Sequence, residues 1–137
     1  MPLSASQSLG AARVWAAAWG IFLLALTSWP SPPRVPILSG VPHFDKLVHG
    51  MLYAVEAFLL YRSVKWPGRP RFTLSRVLVI LGAMAVWGVA DETHQAWIPG
   101  RSMEAGDVAA DVAGAAAGAL CASALSGRRP RAFSSQP

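Results

Sequence analysis

The sequence predicts an all-α fold: a four-helix transmembrane bundle with both termini in the cytoplasm. Hydrophobic residues make up 53% of the 137 residues and charged residues only 14%, whereas about 25% of a soluble domain is charged. The apolar residues fall into four segments, and basic residues are concentrated in alternate connections between them. We therefore predict one helical membrane domain over residues 10–127, with disordered tails at 1–9 and 128–137.

The first helix is predicted over about 13–30 and contains an uncharged stretch from Val14 to Pro33. A helix that is apolar on every face is buried or lies in lipid, so this segment argues against a soluble bundle. A cleaved signal peptide is the alternative. Arg13 is the only basic residue before the apolar run, and the Ser-Pro-Pro sequence that follows it is a poor cleavage context. We therefore expect an uncleaved helix.

The other three helices are predicted over about 45–64, 76–98 and 107–125. The uncharged part of the third runs only from Val77 to Ala90, which is about 21 Å of helix at about 1.5 Å per residue. A hydrocarbon core of ~30 Å needs about 20 residues. The third helix should therefore continue through the polar residues that follow, until Pro99-Gly100 stops it.

The distribution of Lys and Arg predicts the orientation of the bundle. Nine of the 12 lie in or beside the two tails and the connection between the second and third helices, and three lie on the other side. Positively charged connections stay in the cytoplasm, so both termini and the basic connection are predicted to be cytoplasmic. A bacterial cytoplasmic (inner) membrane is the expected location. The basic connection should lie on anionic lipid, and no nucleic-acid partner is predicted.

This orientation places polar residues from three helices on the extracytoplasmic half of the bilayer. Within the second helix, Lys46, His49 and Tyr53 recur at intervals of three and four residues and share one face, which Glu56 continues to greater depth. Polar groups inside a membrane are costly to insert and are candidates for function. The candidate cluster is Asp45, Lys46, His49, Tyr53, Asp91, Glu92, Gln95, Arg101, Ser102, Asp107 and Asp111.

Negative charge is concentrated in this layer. Asp91, Glu92 and Asp111 are predicted to lie at one depth, where they repel each other unless a proton, an arginine or a metal ion intervenes. We expect Arg101 to be the main compensating charge, because its guanidinium can bind a carboxylate through two hydrogen bonds and stays protonated. His49 could be an ordinary interior histidine or a functional one.

The fourth helix carries a stripe of small residues that includes Gly114 and Gly118. Such a stripe lets a neighbouring helix approach closely. Asp107 and Asp111 lie on the same side of the helix and should face the bundle interior. Asp107, like Asp45 on the second helix, is also expected to cap the start of its helix.

Three spaced motifs follow one another over residues 45–118. They are Asp45-Lys46-x-x-His49-x-x-x-Tyr53, then Asp91-Glu92-x-x-Gln95 with Pro99-Gly100-Arg101-Ser102, then Asp107-x-x-x-Asp111-x-x-Gly114-x-x-x-Gly118. With these motifs the chain resembles the VanZ-like family of small bacterial membrane proteins, whose name comes from a protein associated with teicoplanin resistance. The resemblance implies a four-span topology and a cell-envelope context. One departure is Asp111, where the family usually has asparagine.

Two classes of function are open. The first is a non-enzymatic envelope factor, related to glycopeptide resistance, that binds a lipid-linked ligand, a glycopeptide or a partner protein. The second is a membrane-embedded hydrolase or transferase acting on a lipid-linked substrate. In it, His49 would be the base, the carboxylates would hold a divalent cation or act as general acid, and Arg101 would hold phosphate.

No known nucleophile, zinc-protease or nucleotide-binding motif is present in the sequence. We therefore favour the binding factor. No metal ligand is assigned, and the cofactor, like any metal among the carboxylates, is left open. A proton-coupled transporter is a third possibility, favoured only by Glu56. The oligomeric state is left open.

Overall fold

Four helices form the described part of the chain, which comprises residues 5–30, 42–66 and 74–126 of a computed structural model. The predicted all-α class is confirmed. Helices α1, α3 and α4 are long and apolar enough to cross a membrane. Helix α2 carries four charged residues, which lower its hydropathy. The bounds are α1 Ala5–Thr27, α2 Phe44–Ser63, α3 Leu74–Gln95 and α4 Ala105–Ser126.

The helix ends differ from the predicted ones mainly at two places. Helix α1 begins at Ala5 rather than near residue 13, inside the segment expected to be disordered. The residues added are mostly Ala, Ser, Gln and Leu, and no proline interrupts them, so the helix extends without a local barrier. The expected C-terminal tail at 128–137 lies outside the described residues.

Helix α3 ends at Gln95 rather than at residue 98 because its last turn tightens. The amide of Trp97 donates to the carbonyl of His94 (3.0 Å), and that of Ile98 donates to the carbonyl of Gln95 (3.0 Å). These i→i+3 bonds satisfy carbonyls that the helix leaves free. Gly100 then takes a left-handed conformation with φ 81° and reverses the chain.

Helices α2 and α4 run parallel to each other, and this pair forms the most extensive helix contact. His49 contacts Asp111 near the start of both helices. The hydroxyl of Tyr61 donates to Ser123 (3.1 Å) near their ends. The two helices therefore span the same depth of the bundle.

Close approach of α2 and α4 depends on two glycines. A Cβ at Gly114 would overlap the backbone carbonyl of Gly50, and a Cβ at Gly118 would overlap that of Ala54. The backbones therefore touch where the small-residue stripe of α4 lies, as in closely packed membrane helices.

Helix α1 runs antiparallel to α2 and is tied to it at two depths. Arg13 donates from Nε to the carbonyl of Ser63 (3.1 Å), and Trp19 donates from Nε1 to the carbonyl of Leu52 (3.0 Å). The core between the four helices combines large side chains from α1 to α3 with alanines from α4. Its buried members are Leu23, Tyr53, Ala57, Tyr61, Val77, Ile80, Met84, Ala115, Ala119 and Ala122.

The outward faces of the helices are apolar. Ile21 on α1 is 70% exposed and Val86 on α3 is 73% exposed, and both belong to larger sets of exposed aliphatic and aromatic residues. A continuous exposed apolar surface of this kind marks contact with a membrane or another apolar partner. Most of the buried charged residues are instead collected in the interior, at one end of the bundle, and Glu56 lies nearer the middle.

Candidate functional site

The buried polar end of the bundle is formed by the starts of α2 and α4 and the end of α3, with α1 closing one side. Two groups of side chains can be distinguished there. We call His49, Glu92 and Asp111 the His49 group. We call Lys46 with Asp45, Glu104 and Asp107 the Lys46 group.

The His49 group joins three helices. Nδ1 of His49 lies 3.0 Å from Oδ1 of Asp111. One ligating atom from each of His49, Glu92 and Asp111 lies within 4.8 Å of the other two. The Glu92 and Asp111 residues are 0% exposed, whereas 15% of the His49 side chain is exposed. The second oxygen of Asp111, Oδ2, accepts no hydrogen bond from any described residue.

The Lys46 group lies nearer the surface. Nζ of Lys46 is 2.8 Å from Asp45, 2.6 Å from Glu104 and 2.6 Å from Asp107. The Asp45 and Glu104 side chains are 60% and 52% exposed, and that of Asp107 is 11% exposed. A single ammonium group therefore forms ion pairs with three carboxylates. Asp107 also approaches the other group, because its Oδ2 lies 3.9 Å from Nε2 of His49.

Asp91 is held by neutral donors from three helices. It accepts hydrogen bonds from the hydroxyl of Thr27 (2.7 Å), the hydroxyl of Tyr53 (3.1 Å) and Nε2 of Gln95 (3.4 Å). Hydrogen bonds to a buried carboxylate offset part of the cost of removing it from water. Asp91 faces the interior and is fixed in place without a cation.

The expectation that Arg101 compensates the carboxylates directly is wrong. Its NH2 group donates to Oε1 of Gln95 (2.6 Å), and Arg101 forms no ion pair with any carboxylate of the described residues. Gln95 in turn donates to Glu92 (3.1 Å) as well as to Asp91. The turn after α3 brings Arg101 to the amide, and the carboxylates lie one hydrogen bond further inside.

Three other predicted residues have different positions from those expected. Asp45 and Asp107 lie within the first turns of α2 and α4 rather than at their caps, and both bind Lys46. His43 occupies the N-cap position of α2, without a capping hydrogen bond from its side chain. Ser102 is exposed, and its hydroxyl contacts no polar group in the described ranges.

Comparison with known proteins places the chain in a family. A model of the VanZ/LLP1 family matches residues 2–126. The chain belongs to the VanZ/LLP1 family. The match confirms the resemblance seen over residues 45–118 and extends it to include α1. No curated protein and no solved structure matches the chain.

Two residues that contact the site in this VanZ-like membrane protein were not identified from the sequence. Glu104 binds Lys46 through its side chain, and its amide donates to Oε2 of Glu92 (2.9 Å). Glu104 could have been found as an acidic residue directly before a helix, three positions ahead of Asp107. Thr27 had no such signal, because a single threonine in an apolar helix is common.

The chemistry available to the His49 group follows from its contacts. A carboxylate on Nδ1 orients the imidazole ring and leaves Nε2 free to bind a ligand or exchange a proton. Glu56, by contrast, is not connected to either group. It is 7% exposed, and a Cβ on Gly20 would lie 3.6 Å from its Oε1. Its Oε2 accepts no hydrogen bond within the described ranges.

Proposed function

We propose that this VanZ-like protein crosses the bacterial cytoplasmic membrane four times, with both termini in the cytoplasm. In this orientation the His49 and Lys46 groups lie on the extracytoplasmic side and bind a cell-envelope ligand, either lipid-linked or a glycopeptide. The observation that carries the proposal is the convergence of buried polar side chains from all four helices at the end of the bundle farthest from the basic connection.

The parallel packing of α2 and α4 supports α2 as the fourth span. The two helices remain in contact from His49–Asp111 to Tyr61–Ser123. If α4 crosses the membrane, α2 therefore occupies the same depth. Three of its four charged residues lie in its first or last turn, where they can reach the interface, and only Glu56 lies near the middle.

The character of the outer end supports ligand binding there. This end carries the partly exposed Arg101, which pairs with no carboxylate of the described residues, and Trp97, which is 80% exposed. Cationic groups recognise phosphate or carboxylate, and an aromatic residue at the interface contacts lipid or sugar. A ligand with an anionic head and an apolar body or lipid anchor fits this combination.

Topology can be tested by single-cysteine labelling after Cys121 is replaced by alanine. Ser102→Cys is the outer probe, because Ser102 is exposed and the neighbouring Gly100 has a positive φ that a larger residue would strain. Gly68→Cys, in the basic connection, is the inner probe. We expect a membrane-impermeant maleimide to label position 102 but not 68 in intact cells. The reverse pattern would overturn the orientation and the extracytoplasmic site.

Ligand binding can be tested with the purified protein in detergent. Teicoplanin and a lipid-linked envelope precursor are the two probes, and binding is measured with wild type and Arg101→Gln. We expect saturable binding of at least one probe, weakened at least tenfold in the variant. Arg62→Gln, which removes an arginine near the opposite end of the bundle, is the control and should bind as wild type does. Equal binding by all three proteins, or none by wild type, would refute the proposed function.

An enzyme is the second candidate, favoured by the His49–Asp111 hydrogen bond with Glu92 beside it. Here His49 would act as general base toward a lipid-linked substrate. The two candidates differ in what happens to the bound probe. Mass spectrometry of the lipid-linked precursor after incubation should recover it unchanged from a binding factor. A product that forms with wild type but not with His49→Gln would establish the enzyme.

A further inference from the structure

We infer that His49, Glu92 and Asp111 form a binding site for a divalent first-row transition-metal ion, of which Zn²⁺ is the best match. The inference goes beyond the proposed function, since a metal site would serve a binding factor and an enzyme equally. Its test requires neither an envelope ligand nor a membrane orientation, so it can fail independently of the proposed function.

The arrangement of donor atoms supports such a site. The three ligating atoms, one imidazole nitrogen and two carboxylate oxygens, lie within 4.8 Å of one another. Ligands on a tetrahedral zinc ion, with bonds of about 2.0–2.2 Å, are about 3.4 Å apart. Contraction by roughly an ångström, within the reach of side-chain rotation, would therefore complete three coordination bonds. Imidazole with carboxylate suits zinc better than calcium or magnesium, which prefer oxygen ligands alone.

Uncompensated charge is the second, independent observation. Glu92 and Asp111 are both 0% exposed, and Oδ2 of Asp111 has no hydrogen-bond donor among the residues described. A buried carboxylate with an unused oxygen carries a substantial desolvation cost. Since Arg101 is engaged by Gln95, these two carboxylates have no ion-pair partner among the described residues other than His49, which is charged only when protonated. A divalent cation would supply the missing positive charge.

The surroundings of Glu92 resemble the outer shell of a metal site. Each of its oxygens accepts one hydrogen bond: Oε1 from Gln95 and Oε2 from the amide of Glu104. A carboxylate that ligates a metal is commonly oriented in this way, which leaves lone pairs free for the ion. Gln95 also binds Arg101, so the group that orients Glu92 is itself held in place.

The Lys46 group explains why only one cation is expected. Asp45, Glu104 and Asp107 also offer three oxygens within 4.8 Å of one another, but the ammonium of Lys46 already lies within 2.8 Å of each of them. That group is neutralised in part by its own cation. The three protein ligands of the His49 group, by contrast, leave a fourth coordination position for water or substrate, as in catalytic zinc sites.

The test uses the full-length protein in detergent, freed of metal with EDTA and then titrated with Zn²⁺ alone. We expect one Zn²⁺ per chain, and X-ray absorption at the zinc edge should show only nitrogen and oxygen ligands. Asp111→Asn keeps the shape and loses the charge, and should weaken Zn²⁺ binding by at least ~100-fold. Asp45→Asn, in the Lys46 group, is the matched control and should bind as wild type does.

Two outcomes would overturn the inference. One is the absence of stoichiometric Zn²⁺ binding to wild type at ~100 µM free metal. The other is equal weakening by Asp45→Asn and Asp111→Asn, which would move the ion to the Lys46 group or to no defined site. Circular dichroism and size-exclusion chromatography report folding of each variant, and His49→Gln replaces Asp111→Asn if the latter misfolds.

Discussion

The Lys46 and His49 groups lie side by side at one end of the bundle, and they balance their charge differently. In the Lys46 group, a lysine on α2 reaches three carboxylates, two of which are more than half exposed. In the His49 group, both carboxylates are fully buried and the basic member of the group is an imidazole. The difference teaches that carboxylates near the surface are compensated by a flexible lysine, whereas those in the interior are held by hydrogen bonds and an imidazole.

Both groups depend on the same helix contact. His49 and Lys46 belong to α2, whereas Asp107 and Asp111 belong to α4. The distances between them are set by how closely the two helices pack, and that in turn depends on Gly114 and Gly118. Disturbing this contact should therefore affect both groups, whereas changing one charged residue should affect its own group most.

The largest effect is expected from Gly114→Ala. The added methyl group would overlap the carbonyl of Gly50, so α4 must move away from α2, and both groups should open together. Overpacking of this kind costs about 3 kcal/mol. Thermal unfolding in detergent should show the loss. Gly82→Ala is the control: nothing lies within 4 Å of its new Cβ, and alanine should stabilise that helix by up to ~1 kcal/mol. Equal stability of the two variants would contradict backbone contact at Gly114.

An intermediate effect is expected from Lys46→Met, which removes the ammonium of the Lys46 group. Its carboxylates then resemble those of the His49 group, which pair with no lysine or arginine of the described residues. We expect a loss of about 2 kcal/mol, reduced from that of a buried ion pair because Asp45 and Glu104 are largely exposed. The three oxygens left behind should then bind a hard cation, so millimolar Ca²⁺ should recover part of the lost stability. Chemical denaturation with and without Ca²⁺ provides the measurement.

Arg62→Met is the control for this comparison. Arg62 lies on the same helix, with its guanidinium 6.0 Å from the Phe58 ring and far from both groups. Its replacement should change stability by less than ~1 kcal/mol and should produce no response to Ca²⁺. If Ca²⁺ stabilises wild type and Lys46→Met equally, the ammonium is not what distinguishes the two groups.

Among the changes within the polar end of the bundle, the smallest effect is expected from Arg101→Gln. Arg101 makes one side-chain hydrogen bond, to Gln95, and touches no carboxylate of the described chain. Its replacement should cost about 1 kcal/mol, the contribution of one hydrogen bond from a partly exposed charged group. Calorimetry in detergent would measure it. A loss above about 3 kcal/mol would show that Arg101 balances Asp91 or Glu92 after all, and that the His49 group needs no further cation.

The sequence by itself determined the helical class, the family and the residues that make up most of the polar layer. Periodicity is local: intervals of three and four residues place Lys46, His49 and Tyr53 on one face of α2 whatever surrounds it. The same reasoning placed Asp107 and Asp111 on the glycine side of α4. These two placements needed only helix geometry. The family followed from the spaced motifs, and the apolar composition indicated the membrane.

Only the tertiary structure decided which charge binds which. Lys46 binds Asp45, Glu104 and Asp107, whereas Arg101 binds Gln95. Thr27 reaches Asp91 from the apolar helix α1. Helix periodicity does not fix these contacts, because they depend on the rotation and separation of neighbouring helices. The contacts between α2 and α4 depend on how closely the backbones meet at Gly114, and the tight turn after α3 places Arg101 against Gln95 rather than a carboxylate.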